Sequence, residues 1–125
     1  MENKIYKVGV IAGNFDIIHP GYIYMFNDMK KVCESIVLLL QTDPTIDRPD
    51  EKNKPVQSLV ERYAQLAATK YVDEIIPYQT EQDLTDILEM YHIDIRIDGE
   101  EYREKDFTGK EVCRKREIEL YFNKR

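Results

Sequence analysis

Apolar residues in this chain fall into short continuous runs, separated by stretches in which they recur at helical spacing. Lys7 to Ala12 (KVGVIA) is a β-branched run ending at Gly13, the pattern of a buried strand that empties into a tight turn. From Pro20 onward Ile23, Met25, Phe26, Met29 and Val32 follow a helical period, and Lys30 and Lys31 suit a last turn where the helix dipole is negative. Ser35 to Leu40 (SIVLLL) is a second buried run of strand length, so the first third of the chain predicts a βαβ unit.

Residues 41–55 hold three of the five prolines and almost no apolar side chains, which predicts a long polar connection of the kind that serves as a lid or binding loop. Ser58 with Glu61 three residues on is a capping box, and the stripe Leu59, Tyr63, Leu66 and Ala67 predicts a second helix behind it. Val72 to Pro77 reads as a short strand, Leu84 to Tyr91 as a third helix and Ile93 to Ile97 (IDIRI) as a fourth strand before Gly99. The tail from Glu111 is mixed, with enough alternation over Glu117 to Phe122 for a last strand. Strands alternating with helices predict an α/β fold with a parallel sheet and helices on both faces, whose ligands sit at the carboxyl ends of the strands.

Composition bounds this picture. A chain of 125 residues with 42% apolar and 34% charged residues predicts one soluble folded domain over 1–125. Cys33 and Cys113 lack a C-x-x-C partner pattern, so they read as reduced thiols rather than a disulfide or a metal site. The N-terminus lacks the apolar core of a signal peptide, no segment is long enough for a membrane span, and a cytoplasmic protein with no membrane partner is expected. A net charge of −6 argues against a nucleic-acid partner, so an anionic ligand requires a local basic pocket.

The sharpest candidate for chemistry is Gly13-Asn14-Phe15-Asp16-Ile17-Ile18-His19-Pro20-Gly21-Tyr22, between the first strand and the first helix. A strand, a glycine turn and a helix start together offer backbone N–H groups and a positive dipole end to a phosphate. Gly21 is placed to let phosphate oxygens approach the backbone, His19 can donate from its ring, and Asp16 can orient His19 or cap the turn. The dinucleotide fingerprint G-x-G-x-x-G is absent after this strand, which disfavours a flavodoxin-like or dinucleotide-binding module.

GNFDIIHPGYI resembles the G-T-F-D-x-x-H-x-G-H-I signature of the cytidylyltransferases, within the H-x-G-H nucleotidyltransferase superfamily, and most closely the glycerol-3-phosphate branch. TKYVDEIIP at Thr69 to Pro77 is similar to that branch's R-Y-V-D-E-V-I-P segment, and IDGEEY at Ile97 to Tyr102 to its M-G-D-D-W segment. The resemblance covers Val8 to Tyr102 and implies a Rossmann-like three-layer α/β/α nucleotidyltransferase fold. It implies transfer of a cytidylyl group from CTP to a phosphorylated alcohol such as glycerol 3-phosphate, with Mg²⁺ on the triphosphate, release of pyrophosphate and a homodimeric assembly. CTP rests on the resemblance alone, since ATP-using relatives share H-x-G-H.

Carried over by position, the resemblance implies catalytic roles for His19, Lys54 and Arg62, nucleotide contacts from Gly13, Asn14, Phe15, Asp16, Gly21, Tyr22 and Glu101, and acceptor contacts from Lys70 and Arg62. Lys54 is chosen from the basic set Arg48, Lys52, Lys54 and Arg62; no residue is assigned to a metal. The sequence departs from the family at Tyr22, where the second histidine belongs, and both acidic positions after the fourth strand are Glu100 and Glu101 rather than Asp. The family's C-terminal R-T-x-G-I-S-T-T motif and helix are expected to be missing from a chain that ends at Arg125. An alternative to the enzyme is therefore a catalytically weakened nucleotide-binding or assembly domain of the same fold.

Overall fold

The computed structural model describes residues 6–123. Five strands, β1 (Tyr6–Gly13), β2 (Cys33–Gln41), β3 (Glu74–Tyr78), β4 (Ile95–Gly99) and β5 (Glu119–Asn123), form one parallel sheet in the order β3-β2-β1-β4-β5. The helices are α1 (Pro20–Val32), α2 (Leu59–Ala68), α3 (Glu81–Met90) and α4 (Lys110–Lys115). The chain runs outward from β1 to β2 and β3, then returns to the other side of β1 for β4, so the direction of winding reverses between β1 and β4. In open parallel sheets a crevice opens at that reversal.

The pleat sends alternate residues to opposite faces, which explains why the apolar runs are continuous rather than alternating. Ile11, Ile36, Leu38, Leu40, Ile95 and Ile97 meet Met25, Phe26 and Met29 of α1 and Leu66 of α2 on one face. Val10 and Leu39 meet Leu84 and Leu88 of α3 and Cys113 of α4 on the other. The result is the expected three-layer α/β/α arrangement, and both cysteines are buried and in no disulfide among the described residues. No helix among the described residues is long and apolar enough to cross a membrane.

The boundaries differ from the expected ones for identifiable reasons. Helix α3 starts at Glu81 rather than Leu84, because Thr80 and Asp83 close a capping box with aspartate in the usual glutamate position. Strand β4 runs over Ile95–Gly99, two residues later than expected, and Ile93 instead packs in the core on the α3 side. Helix α4, lying in the tail that reads as mixed, has only six residues and follows Gly109, whose φ of 84° is left-handed.

Candidate functional site

Gly13, Gln41, Tyr78 and Gly99, the last residues of β1 to β4, all line one cleft of about 350 Å³. That volume is in the range of small-molecule sites, and its position at the strand ends follows from the fold.

The turn after β1 forms one wall, through Asn14, Phe15 and Tyr22. Phe15 and Ile17 have φ of 48° and 51°, a left-handed conformation that costs roughly 1–2 kcal/mol per non-glycine residue. Packing and hydrogen bonds hold them there. Phe15 is buried against the rings of Tyr22 and Phe26, at 5.3 and 6.0 Å. The Asp16 carboxylate accepts from the N–H of Val56 at 2.7 Å and of Gln57 at 2.9 Å, and the Ile17 N–H donates to Gln57 Oε1 at 2.9 Å. The Gln57 amide above all, with the Val56 amide and the Arg62 charge, holds the Asp16 carboxyl below its usual range. Asp16 thus ties the turn to the end of the long loop, and no hydrogen bond between it and His19 is formed.

His19 is the N-cap of α1, and its Nδ1 accepts from the Gly21 N–H at 3.0 Å. An accepting Nδ1 puts the ring proton on Nε2, which leaves Nε2–H as a donor on an exposed side chain; His19, like Asp16 and Gly21, flanks the cleft without lining it. Gly21 has a packing reason: a Cβ there would lie 2.7 Å from His19 Cε1 and 3.0 Å from Nδ1. Its missing side chain makes room for the imidazole, and its N–H is already committed to that ring. The Tyr22 ring lies 4.4 Å from the His19 ring.

Arg62 is the main correction. Expected to face a phosphate, it is 1% exposed and donates to the carbonyl oxygens of Gln57, Asn14, Gln41 and Thr42 at 2.7–3.2 Å. Burial pushes its ionisation down, offset by Asp16 and Asp43. The guanidinium therefore fastens the turn after β1 to the end of β2, a structural task that needs the planar fork of arginine. Lys54, Lys70 and Glu101 are exposed and none lines the cleft; the Lys70 ammonium lies 5.5 Å from the Tyr71 ring centroid.

The loop cations that do line the cleft are Arg48 and Lys52. Arg48 pairs with Glu81 Oε1 at 3.2 Å, and the Glu81 N–H donates to Asp47, so the loop is tied to the start of α3. The sequence pattern does not single out Tyr78, at the end of β3, or Arg96 and Asp98, which form the far wall on the β4 side. Arg96 is 4% exposed, donates from Nη1 to the Thr108 carbonyl, stacks 4.9 Å over Phe107 and lies 3.3 Å from Asp98 through Nε. The signal was present: an arginine in the middle of an apolar strand run needs buried partners.

Comparison with known proteins agrees with this geometry. Residues 10–119 match the family model described as cytidylyltransferase-like. The chain is 28% identical over 108 residues to the bifunctional protein HldE of Gluconacetobacter diazotrophicus, covering 86% of this chain and 22% of that protein. It is 28% identical over 107 residues to HldE of Granulibacter bethesdensis, with 86% and 22% covered. The chain thus spans about a fifth of the length of these relatives. The lipopolysaccharide core biosynthesis protein from Thermoplasma volcanium GSS1 superposes with a TM-score of 0.69 at 24% identity over 94% of each chain, which establishes the shared fold.

Proposed function

We propose a nucleotidyl transfer for this chain, which belongs to the cytidylyltransferase-like family. A phosphate oxygen of a phosphorylated alcohol attacks the α-phosphorus of CTP in line, the bond to the β-phosphate breaks, and pyrophosphate leaves. The acceptor is already an anion, so no general base is required; positioning and charge stabilisation supply the rate. Mg²⁺ would travel on the triphosphate oxygens, which suits an ion that keeps several waters and takes few protein ligands. Among the described residues no group of three or more His, Cys, Asp or Glu is arranged to hold a metal.

The observation that carries this reading is the His19 imidazole, locked at Nδ1 by the Gly21 N–H and presenting Nε2–H beside the cleft-lining Tyr22. In the proposed reaction Nε2–H and the Tyr22 hydroxyl donate to the transferring phosphate, while Lys52 and Arg48 face it from the loop and Lys54 adds long-range positive charge. The test is pyrophosphate release from purified protein given CTP or ATP, Mg²⁺ and a panel of phosphorylated alcohols. Turnover is expected with CTP and to fall about 10²–10³-fold in His19→Ala, the scale for losing one oxyanion donor.

Tyr22 favours a second reading, because a phenol cannot carry the positive charge of a second histidine. In that reading the protein binds CTP without efficient turnover. Tight binding with no pyrophosphate, and turnover gained in Tyr22→His, would decide for it.

A further inference from the structure

The far wall of the cleft raises a question that stability does not answer. Along β4, Ile95 and Ile97 enter the α1-side core, so Arg96 and Asp98 project to the opposite face, where neighbouring strands place Val10, Val37 and Leu39. A buried ion pair in such a place is commonly no better for stability than apolar residues of the same shape. Arg96 is nonetheless built in with care. Its Nη1 is held by the Thr108 carbonyl, its plane by Phe107, and its Nε faces Asp98. Gly109 belongs to this fitting: a Cβ there would stand 3.0 Å from Arg96 Nη1 and 2.4 Å from Leu88 Cδ1.

Tyr78, which closes β3, lines the same cleft, is 6% exposed and makes no side-chain hydrogen bond to any other described residue, and the charges of Arg96 and Asp98 both bear on its phenol. Burial first, then the Glu81 carboxylate, raises the ionisation of its phenol, so it stays an O–H group. The cleft therefore offers a carboxylate acceptor, a fixed guanidinium and a neutral hydroxyl, its two charges compensating each other. A hydroxyl group, which both donates and accepts, matches such a wall. An ammonium head group finds no net charge at the pair, because Arg96 compensates Asp98, and the Phe107 ring next to it already carries Arg96 at 4.9 Å and Lys110 at 5.6 Å.

We propose that Asp98, positioned by Arg96, reads hydroxyl groups of the acceptor, and that the acceptor is a polyhydroxylated phosphate rather than a phosphorylated amino alcohol. This rests on the transferase reading of the same cleft. Asp98 takes no proton; it accepts a hydrogen bond from a hydroxyl of the acceptor, Tyr78 donates to a neighbouring one, and the acceptor phosphate is left to attack the α-phosphorus. Arg96 is a positioning residue that acts through Asp98.

The experiment compares wild type, Asp98→Asn and Tyr78→Phe, each first shown to be folded by a cooperative thermal transition above the assay temperature. Calorimetry on CTP-saturated protein measures binding of glycerol 3-phosphate, ribose 5-phosphate, phosphoethanolamine and phosphocholine; pyrophosphate release measures turnover. Ribose 5-phosphate or glycerol 3-phosphate should bind in preference to both amino alcohols. Asp98→Asn should weaken that binding and raise the acceptor KM by about 10–100-fold, as for a hydrogen bond to a charged group, and Tyr78→Phe by about 2–10-fold, with CTP affinity unchanged in both. Preference for an amino alcohol, an unchanged acceptor KM in Asp98→Asn, or a loss of CTP affinity in its place would overturn the proposal. Asp98-dependent binding without pyrophosphate would instead sink the transferase reading and leave the acceptor site standing; neither binding nor pyrophosphate would sink both.

Discussion

Arg62 Nη1 donates to the carbonyl oxygen of Asn14 at 2.9 Å, which joins the second helix to the turn that follows the first strand. The same nitrogen donates to Gln41 at 2.7 Å, so one guanidinium bridges the ends of two adjacent strands at the mouth of the cleft. The shape of the candidate site depends on an arginine that does not enter it.

Replacing Arg62 by alanine should therefore act on stability before chemistry. Four carbonyl oxygens lose their donor, and the expected cost is about 3–5 kcal/mol, as for removal of a buried charged partner. Arg62→Lys keeps the charge but loses the fork, and should fall in between. Urea unfolding followed by circular dichroism measures both. A variant of wild-type stability that had lost only turnover would restore Arg62 to the role first expected of it.

Gly21→Ala should separate packing from catalysis in the opposite direction. Alanine at this early helix position favours the helix by about 0.5–1 kcal/mol over glycine, which offsets most of the roughly 1 kcal/mol of the lost N-cap bond, so stability should hold. The new Cβ would stand 2.7 Å from His19 Cε1 and must push the imidazole out of its hydrogen bond with residue 21. Turnover should drop toward that of His19→Ala with no loss in melting temperature. Retained turnover would mean that the locked ring orientation is immaterial.

The fold was legible because its signals are local. Continuous β-branched runs and a Ser58–Glu61 capping box specify buried parallel strands and the start of α2 without knowledge of any distant contact. The turn from Gly13 to Tyr22 was legible for the same reason. Arg62 was misread because its partners lie 20 to 48 residues away along the chain, at Thr42, Gln41 and Asn14, and no spacing rule carries that information. Position within the loop does not separate Lys54 from Arg48 and Lys52, whereas the loop's tie to Glu81 brings Arg48 and Lys52 to the cleft. Asp98 and Tyr78 are not legible because one is the next-to-last residue of β4 and the other the last of β3, where only the sheet order shows that both face one cavity.

Acid should loosen the turn before the core. The folded Asp16 carboxyl is held below its ordinary value, chiefly by the Gln57 amide, so its stabilisation is fully present above the unfolded value of about 3.9. As the pH falls below that value and through the depressed folded one, protonation removes the acceptor of the Val56 and Gln57 N–H groups. Hydrogen exchange at Val56 and Gln57, corrected for its intrinsic pH dependence, should therefore lose protection below about pH 4 and stay flat from pH 5 to 7. Asp16→Asn should abolish the pH dependence; protection that fell equally in the variant would exclude Asp16 as its source.

Tyr22 offers the most direct reading of what the site can do. Its ring packs 5.3 Å from Phe15 and 4.4 Å from His19, so Tyr22→Phe retains the contacts and removes only the hydroxyl. If that hydroxyl donates to the transferring phosphate, kcat should fall by about tenfold or more at unchanged CTP affinity and unchanged stability. Tyr22→His restores a group able to carry positive charge, so its kcat relative to wild type should rise as the pH is lowered toward about 6.5, where an imidazole protonates. Pre-steady-state pyrophosphate release from pH 6 to 8 distinguishes the cases. Equal rates in wild type and Tyr22→Phe would show that the tyrosine serves only as packing for Phe15 and His19, leaving His19 to act alone on this wall.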